Sequence, residues 1–137
     1  MRVSAWFAFV PLIVAACEAA QGGTEAENVE GLRLYRAQYC GTCHAFTAAG
    51  TAGVFGPPHD GMRAIAEQRI RSTEYAGAAT TAEAYIRESL LEPGVYRVPQ
   101  YAATRYAMPA YTSLTDDQVD ALVRLLLDPR PVTGGTS

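Results

Sequence analysis

The stretch Cys40-Gly41-Thr42-Cys43-His44 limits what this chain can fold into more than any other. It reads Cys-x-x-Cys-His, the pattern through which c-type haem is attached to a polypeptide. On a helical turn, two cysteines three residues apart project to the same side. Each sulfur can then form a thioether with one haem vinyl group, and the imidazole of His44 can turn under the porphyrin as the proximal iron ligand. Two other chemistries use part of the pattern. A Cys-Gly-Thr-Cys dithiol site belongs at a strand-to-helix junction of a βαβ unit, whereas Gly31 to Tyr39 reads as helix with no parallel-strand pattern around it. A zinc site asks for about four well-spaced ligands. Cys43 and His44 are adjacent, and His59 is the one further histidine. The pentapeptide therefore predicts one covalently bound haem c, held by Cys40 and Cys43 with His44 on the iron.

A chain of 137 residues supports one domain, to whose core a porphyrin adds a large apolar body. The formal charge is −3 and all 11 basic residues are Arg. Nucleic acid asks for a basic face, so that balance argues against it as a partner. With no lysine, partner contacts must use Arg or apolar surface.

The N-terminus carries Arg2 and then the apolar run Val3 to Ala16, interrupted by Pro11. That run falls short of the about 20 residues a helix needs to span a bilayer, and it fits a signal-peptide core. It ends Val14-Ala15-Ala16-Cys17, which resembles the lipobox of bacterial lipoproteins. The resemblance implies removal of residues 1–16, lipid on Cys17, and a bacterial membrane-anchored protein facing the periplasm or outer side. Cysteine use agrees: of 3 cysteines, two go to haem and one to lipid, which leaves no free thiol in an oxidising compartment. Residues 17–28 read as a polar, flexible linker, 29–128 as the folded domain and 129–137 as a disordered tail.

Within the domain the periodicity is helical, which predicts an all-α fold. The first helix runs to about Cys40, and a Thr24–Glu27 capping box can start it slightly before Asn28. Gly61 to Arg71 carries Met62, Ile65, Ala66 and Ile70 at helical spacing. Thr80-Thr81-Ala82-Glu83 supplies a capping box for a helix with Tyr85, Ile86, Ser89 and Leu90 on one face, stopped by Pro93-Gly94. Thr115 with Gln118 forms another box, Asp116 and Asp117 suit the positive end of the helix dipole, and Val119 to Leu127 supplies apolar surface before Pro129. Ala45 to Phe55, rich in Ala, Gly and Thr, reads as a loop. Val95 to Ala107 has neither period and predicts a loop over the haem edge, with Tyr96, Tyr101, Arg97 and Arg105 as candidate propionate partners.

Three further segments, with the haem motif, resemble class I cytochromes c over residues 29–128. They are Gly31-Leu32-Arg33-Leu34-Tyr35, Gly56-Pro57-Pro58-His59-Asp60-Gly61 and Met108-Pro109-Ala110-Tyr111. The resemblance implies N- and C-terminal helices that cross at Gly31. It implies a Pro57 carbonyl that accepts a hydrogen bond from the outer nitrogen of His44, and a Met108 thioether as distal ligand. Met62 is then a core residue. His59 stands where the family usually has leucine, and it reads as a hydrogen-bonded histidine, a propionate contact or a rival iron ligand; a lone histidine is commonly structural. Tyr85 to Pro93 is similar to the third helix of respiratory cytochrome domains, especially those fused to oxidase subunit II. The family likeness implies an electron carrier rather than an enzyme, with a terminal oxidase as acceptor and a quinol-oxidising complex as donor. The alternatives are a fixed subunit of a respiratory or dehydrogenase complex, and a haem enzyme or gas sensor if Met108 leaves the iron open.

Overall fold

The computed structural model describes residues 25–130. The expected signal peptide, the lipidation site Cys17, most of the expected linker and residues 131–137 lie outside the described residues. The elements in chain order are α1 (Glu25–Ala37), β1 (His44–Phe46), β2 (Thr51–Val54), α2 (Met62–Ile70), α3 (Ala82–Leu91) and α4 (Asp116–Leu127), with short 3-10 turns at Cys40–Thr42, Thr47–Ala49 and Pro99–Tyr101. No helix among the described residues is long and apolar enough to cross a membrane.

The core is organised around the crossing of α1 and α4. Gly31 makes the close approach possible: a Cβ there would lie 2.6 Å from the Ala121 carbonyl oxygen and 2.8 Å from Leu125 Cβ. Val119, Leu122 and Leu125 on α4 are buried, as are Leu34 and Tyr35 on α1. Burying such side chains contributes about 1.5–3 kcal/mol each relative to leaving them exposed. α3 packs against both α2 and α4, and its Arg87 pairs with Asp120 and, at 3.8 Å, with Asp116.

Several boundaries depart from the sequence reading. α1 starts at Glu25, inside the expected linker and slightly before Asn28, as the Thr24–Glu27 spacing allowed. Glu25 and Glu27 place negative charge at the positive end of its dipole. Asn28 is buried, with its Oδ1 accepting from the Arg130 backbone N–H at 3.5 Å. In α3 the N-cap is Thr81, whose Oγ1 accepts from Ala84 N–H at 3.1 Å. That leaves Glu83 one position short of the reciprocal partner a capping box needs. At α4 both halves of the Thr115–Gln118 box form.

The four helices are accompanied by one element the sequence reading did not expect, because the segment read as a loop holds a small antiparallel hairpin. His44 pairs with Val54, Ala45 with Ala52 and Phe46 with Thr51, with an irregularity after His44. Gly50, at φ 67°, makes the turn back. The physical reason is the alternation of strand side chains between faces: His44 and Phe46 point inward while Ala45 is only half-buried. Phe46, fully buried, anchors the hairpin to the core.

Candidate functional site

A cavity of about 380 Å³ opens between the hairpin, α2, α3 and the segment that precedes α4. The Cys40–Cys43 segment is wound as a 3-10 turn, with Cys43 N–H donating to Cys40 C=O at 3.2 Å. Both cysteines are free and both line the cavity. The hairpin holds this turn closely. A Cβ on Gly53 would collide with the Cys43 carbonyl carbon, and one on Gly41 would strike Thr51. Phe55 and Gly56 N–H groups both donate to Cys43 C=O, at 3.0 and 2.8 Å. Burial pushes the Cys40 thiol up, so it is neutral at ordinary pH.

His44, at the start of β1, also lines the cavity and is 7% exposed. Its Nδ1 lies 2.7 Å from the Pro57 carbonyl oxygen. A carbonyl can only accept, so Nδ1 carries the proton and Nε2 holds the free lone pair. Burial pushes the His44 pKa down against the opposing effect of the Pro57 bond, which favours the neutral ring a metal needs. Such a bond also orients a ligating imidazole and raises its basicity.

Two methionines line the same cavity. Met62, the first residue of α2, is 5% exposed and belongs to the packed core. Met108 is partly exposed, in the segment just before α4. That segment is tied down through Tyr111, whose N–H donates to Leu90 C=O at 2.9 Å and whose hydroxyl donates to Gln38 C=O at 3.5 Å.

Of the expected propionate partners, Tyr96, Tyr101 and Arg97 line the cavity, whereas Arg105 is exposed and lies outside its lining. The sequence reading missed Arg69 on α2. It lines the cavity and donates from Nη1 to the Tyr85 hydroxyl at 3.1 Å, with its guanidinium 5.9 Å from that ring's centroid. Its spacing from Met62, seven residues, puts the two on one helix face and was the available signal. His59 is hydrogen-bonded, its Nδ1 3.0 Å from the Tyr35 hydroxyl, and it stacks on His44.

The residues fit a covalently bound haem. Two free thiols, an imidazole with its outer nitrogen occupied, a thioether and basic and phenolic groups all border one largely apolar space. Among the described residues, the motif included, no three His, Cys, Asp or Glu side chains are grouped so as to hold a metal ion by themselves. Residues 26–126 match the model of the family described as cytochrome C oxidase, cbb3-type, subunit III. The chain belongs to that family. It is a class I monohaem cytochrome c related to the oxidase-associated cytochromes. Among curated proteins and among solved structures nothing matches the chain. Membership implies covalently bound haem c and haem-based electron transfer, which is the work of a carrier rather than an enzyme. In this cytochrome the hairpin and α1 pack against the attachment turn.

Proposed function

We propose that this cytochrome c carries one electron at a time to a terminal oxidase, tethered to the outer side of a bacterial membrane through lipid on Cys17. The observation that carries the reading is the convergence of Cys40, Cys43, His44 and Met108 on one cavity. Haem, when bound, supplies the ferric/ferrous couple. Cys40 and Cys43 would hold it through two thioethers. His44 would offer Nε2 to the iron, since Pro57 occupies Nδ1. Met108 would offer a soft neutral sulfur, a ligand that favours the ferrous state and leaves no place on the iron for oxygen or peroxide. Met108 is favoured over Met62 because it is only partly buried and sits outside the helices, whereas Met62 is 5% exposed and belongs to the packed core. Pro109 stiffens the ligand's loop and Tyr111 ties it to α3 and to Gln38 just after α1, so little rearrangement accompanies electron transfer. Arg69, Arg97 and Tyr96 are placed to meet the propionates.

The test is spectroscopic. Met108→Ala is expected to convert a six-coordinate ferrous haem into one that binds carbon monoxide readily, whereas Met62→Leu leaves the spectrum unchanged. An unaltered spectrum in the Met108 variant, or a mature protein without added haem mass, overturns the reading. The family description names an oxidase subunit, which favours a second reading: a fixed subunit of such a complex rather than a mobile carrier. Co-purification with an oxidase after mild detergent extraction supports the fixed subunit. Isolation alone, together with rapid stopped-flow electron delivery to purified oxidase, supports the carrier.

A further inference from the structure

His59 is held on every side that matters to His44. Its ring stacks on the His44 imidazole with centroids 4.0 Å apart and planes 17° from parallel. Its Nδ1 lies 3.0 Å from the Tyr35 hydroxyl. Tyr35 and Phe46 meet it edge-on, with centroids 5.7 and 6.1 Å away at 76° and 74°. Those two rings are 1% and 0% exposed and pack against each other at 5.3 Å, so they form a fixed wall. The backbones are cross-tied as well. His59 N–H donates to Ala45 C=O at 2.8 Å, one residue past His44, while His44 Nδ1–H donates to Pro57 C=O, two residues before His59.

These contacts divide the labour of holding His44. A single hydrogen bond to Pro57 pins one atom in the plane of the imidazole but leaves the plane free to tilt about that bond. A parallel ring against its face fixes the plane's normal, and stacked rings favour such a defined offset arrangement. Gly56 removes the remaining slack, since a Cβ there would collide with His44 Cε1. The direction of an axial imidazole plane decides how its π electrons split the two iron d orbitals they overlap, so a ring that fixes the plane also fixes the iron's magnetic axes.

We propose that Tyr35 and His59 act as a positioning pair that sets the orientation of the His44 imidazole plane over the haem. The inference rests on His44 being the axial ligand of the proposed function. It assigns to His59 a role that neither core filling nor iron ligation provides. His59 transmits the rigidity of the Tyr35–Phe46 wall to the ligand, and the Tyr35 hydroxyl keeps His59 from turning about its own side-chain bonds.

The experiment compares the haem-loaded wild type with His59→Leu, which keeps volume and removes the ring, and Tyr35→Phe, which removes one hydroxyl and keeps the packing. The readouts are the ferric electron paramagnetic resonance spectrum and the paramagnetic proton shifts of the haem methyls. His59→Leu is expected to shift the principal g values, broaden the signal and change the spread of methyl shifts, with Tyr35→Phe moving them the same way by less. Wild-type g values and methyl pattern in both variants overturn the proposal, even where the melting temperature falls, because His59 is then only filler. If His59→Leu does not mature, Tyr35→Phe decides alone: shifted values support the pair and unchanged values overturn it. A wild type with no low-spin His/Met signal overturns the axial assignment along with the pair, a result distinct from silent variants in a normal low-spin background.

Discussion

Replacing Gly31 with alanine probes the crossing on which the rest of the domain is built. The added Cβ would stand 2.6 Å from the Ala121 carbonyl oxygen and 2.8 Å from Leu125 Cβ. Carbon atoms in good contact lie at about 3.5–4.0 Å, so α1 and α4 must separate by roughly 0.7 Å. Neither neighbour can swing aside. One is helical backbone, and the other is the first side-chain atom of a residue 1% exposed. Overpacking of this kind costs about 1–3 kcal/mol. Alanine is the better helix former by about 1 kcal/mol, which offsets part of it. A net loss of up to about 2 kcal/mol is expected, equivalent to as much as roughly 15 °C in melting temperature for a domain of this size. Thermal unfolding of the haem-loaded protein, followed by far-ultraviolet circular dichroism, measures it. A Gly31→Ala protein that melts at or above the wild-type temperature would refute the steric argument.

Alkaline stability should depend on Tyr75. Burial, reinforced by its hydrogen bond to Glu88, pushes this phenol up to about 12, above the about 10 of an unfolded tyrosine. The folded state therefore keeps a proton that the unfolded state has lost. The stabilisation is complete below about pH 10 and disappears as pH rises through about 12. Tyr75→Phe is expected to flatten the fall of the denaturation midpoint across that window. Tyr35 and Tyr111 are also shifted upward by burial, so the slope should diminish rather than vanish. An unchanged slope in the variant counts against the assignment. At the other end of the core, Thr115→Ala removes the acceptor for Gln118 N–H and is expected to cost about 1 kcal/mol, read as a lower urea midpoint. A midpoint equal to wild type would show that the capping box does not hold α4.

What could be read from the sequence was whatever repeats or signals within one turn of chain. The α4 cap needed only Thr115 and Gln118 three residues apart, and its apolar surface repeats at helical spacing over a full helix. The attachment pentapeptide carried its own geometry. The hairpin escaped because its strands, His44–Phe46 and Thr51–Val54, are too short for an alternating pattern to stand out from an Ala, Gly and Thr background. The early start of α1 was legible in the Thr24–Glu27 spacing, whereas the burial of Asn28 was not, because its side chain is bonded by the backbone of Arg130, far along the chain.

The site divides along the same line, and for a reason that bears on function. Sequence motifs name the atoms that touch haem, because those chemistries tolerate few residue types. They do not name the residues that hold those atoms still, because orientation can be supplied by any side chain that the fold delivers to the right face. Arg105 and Arg69 show this. Arg105 lies in the loop predicted to cover the haem edge and Arg69 does not, yet of the two it is Arg69 that lines the cavity, because α2 turns it the same way as Met62. His59 shows it more strongly. In the chain it is a polar residue in a proline-rich turn; in space it lies 4.0 Å from the His44 ring with an aromatic wall around it. The set of the His44 ring and the lining of the cavity are thus carried in part by contacts between residues far apart in the chain. Those contacts can change at a single position while every motif in the chain stays intact.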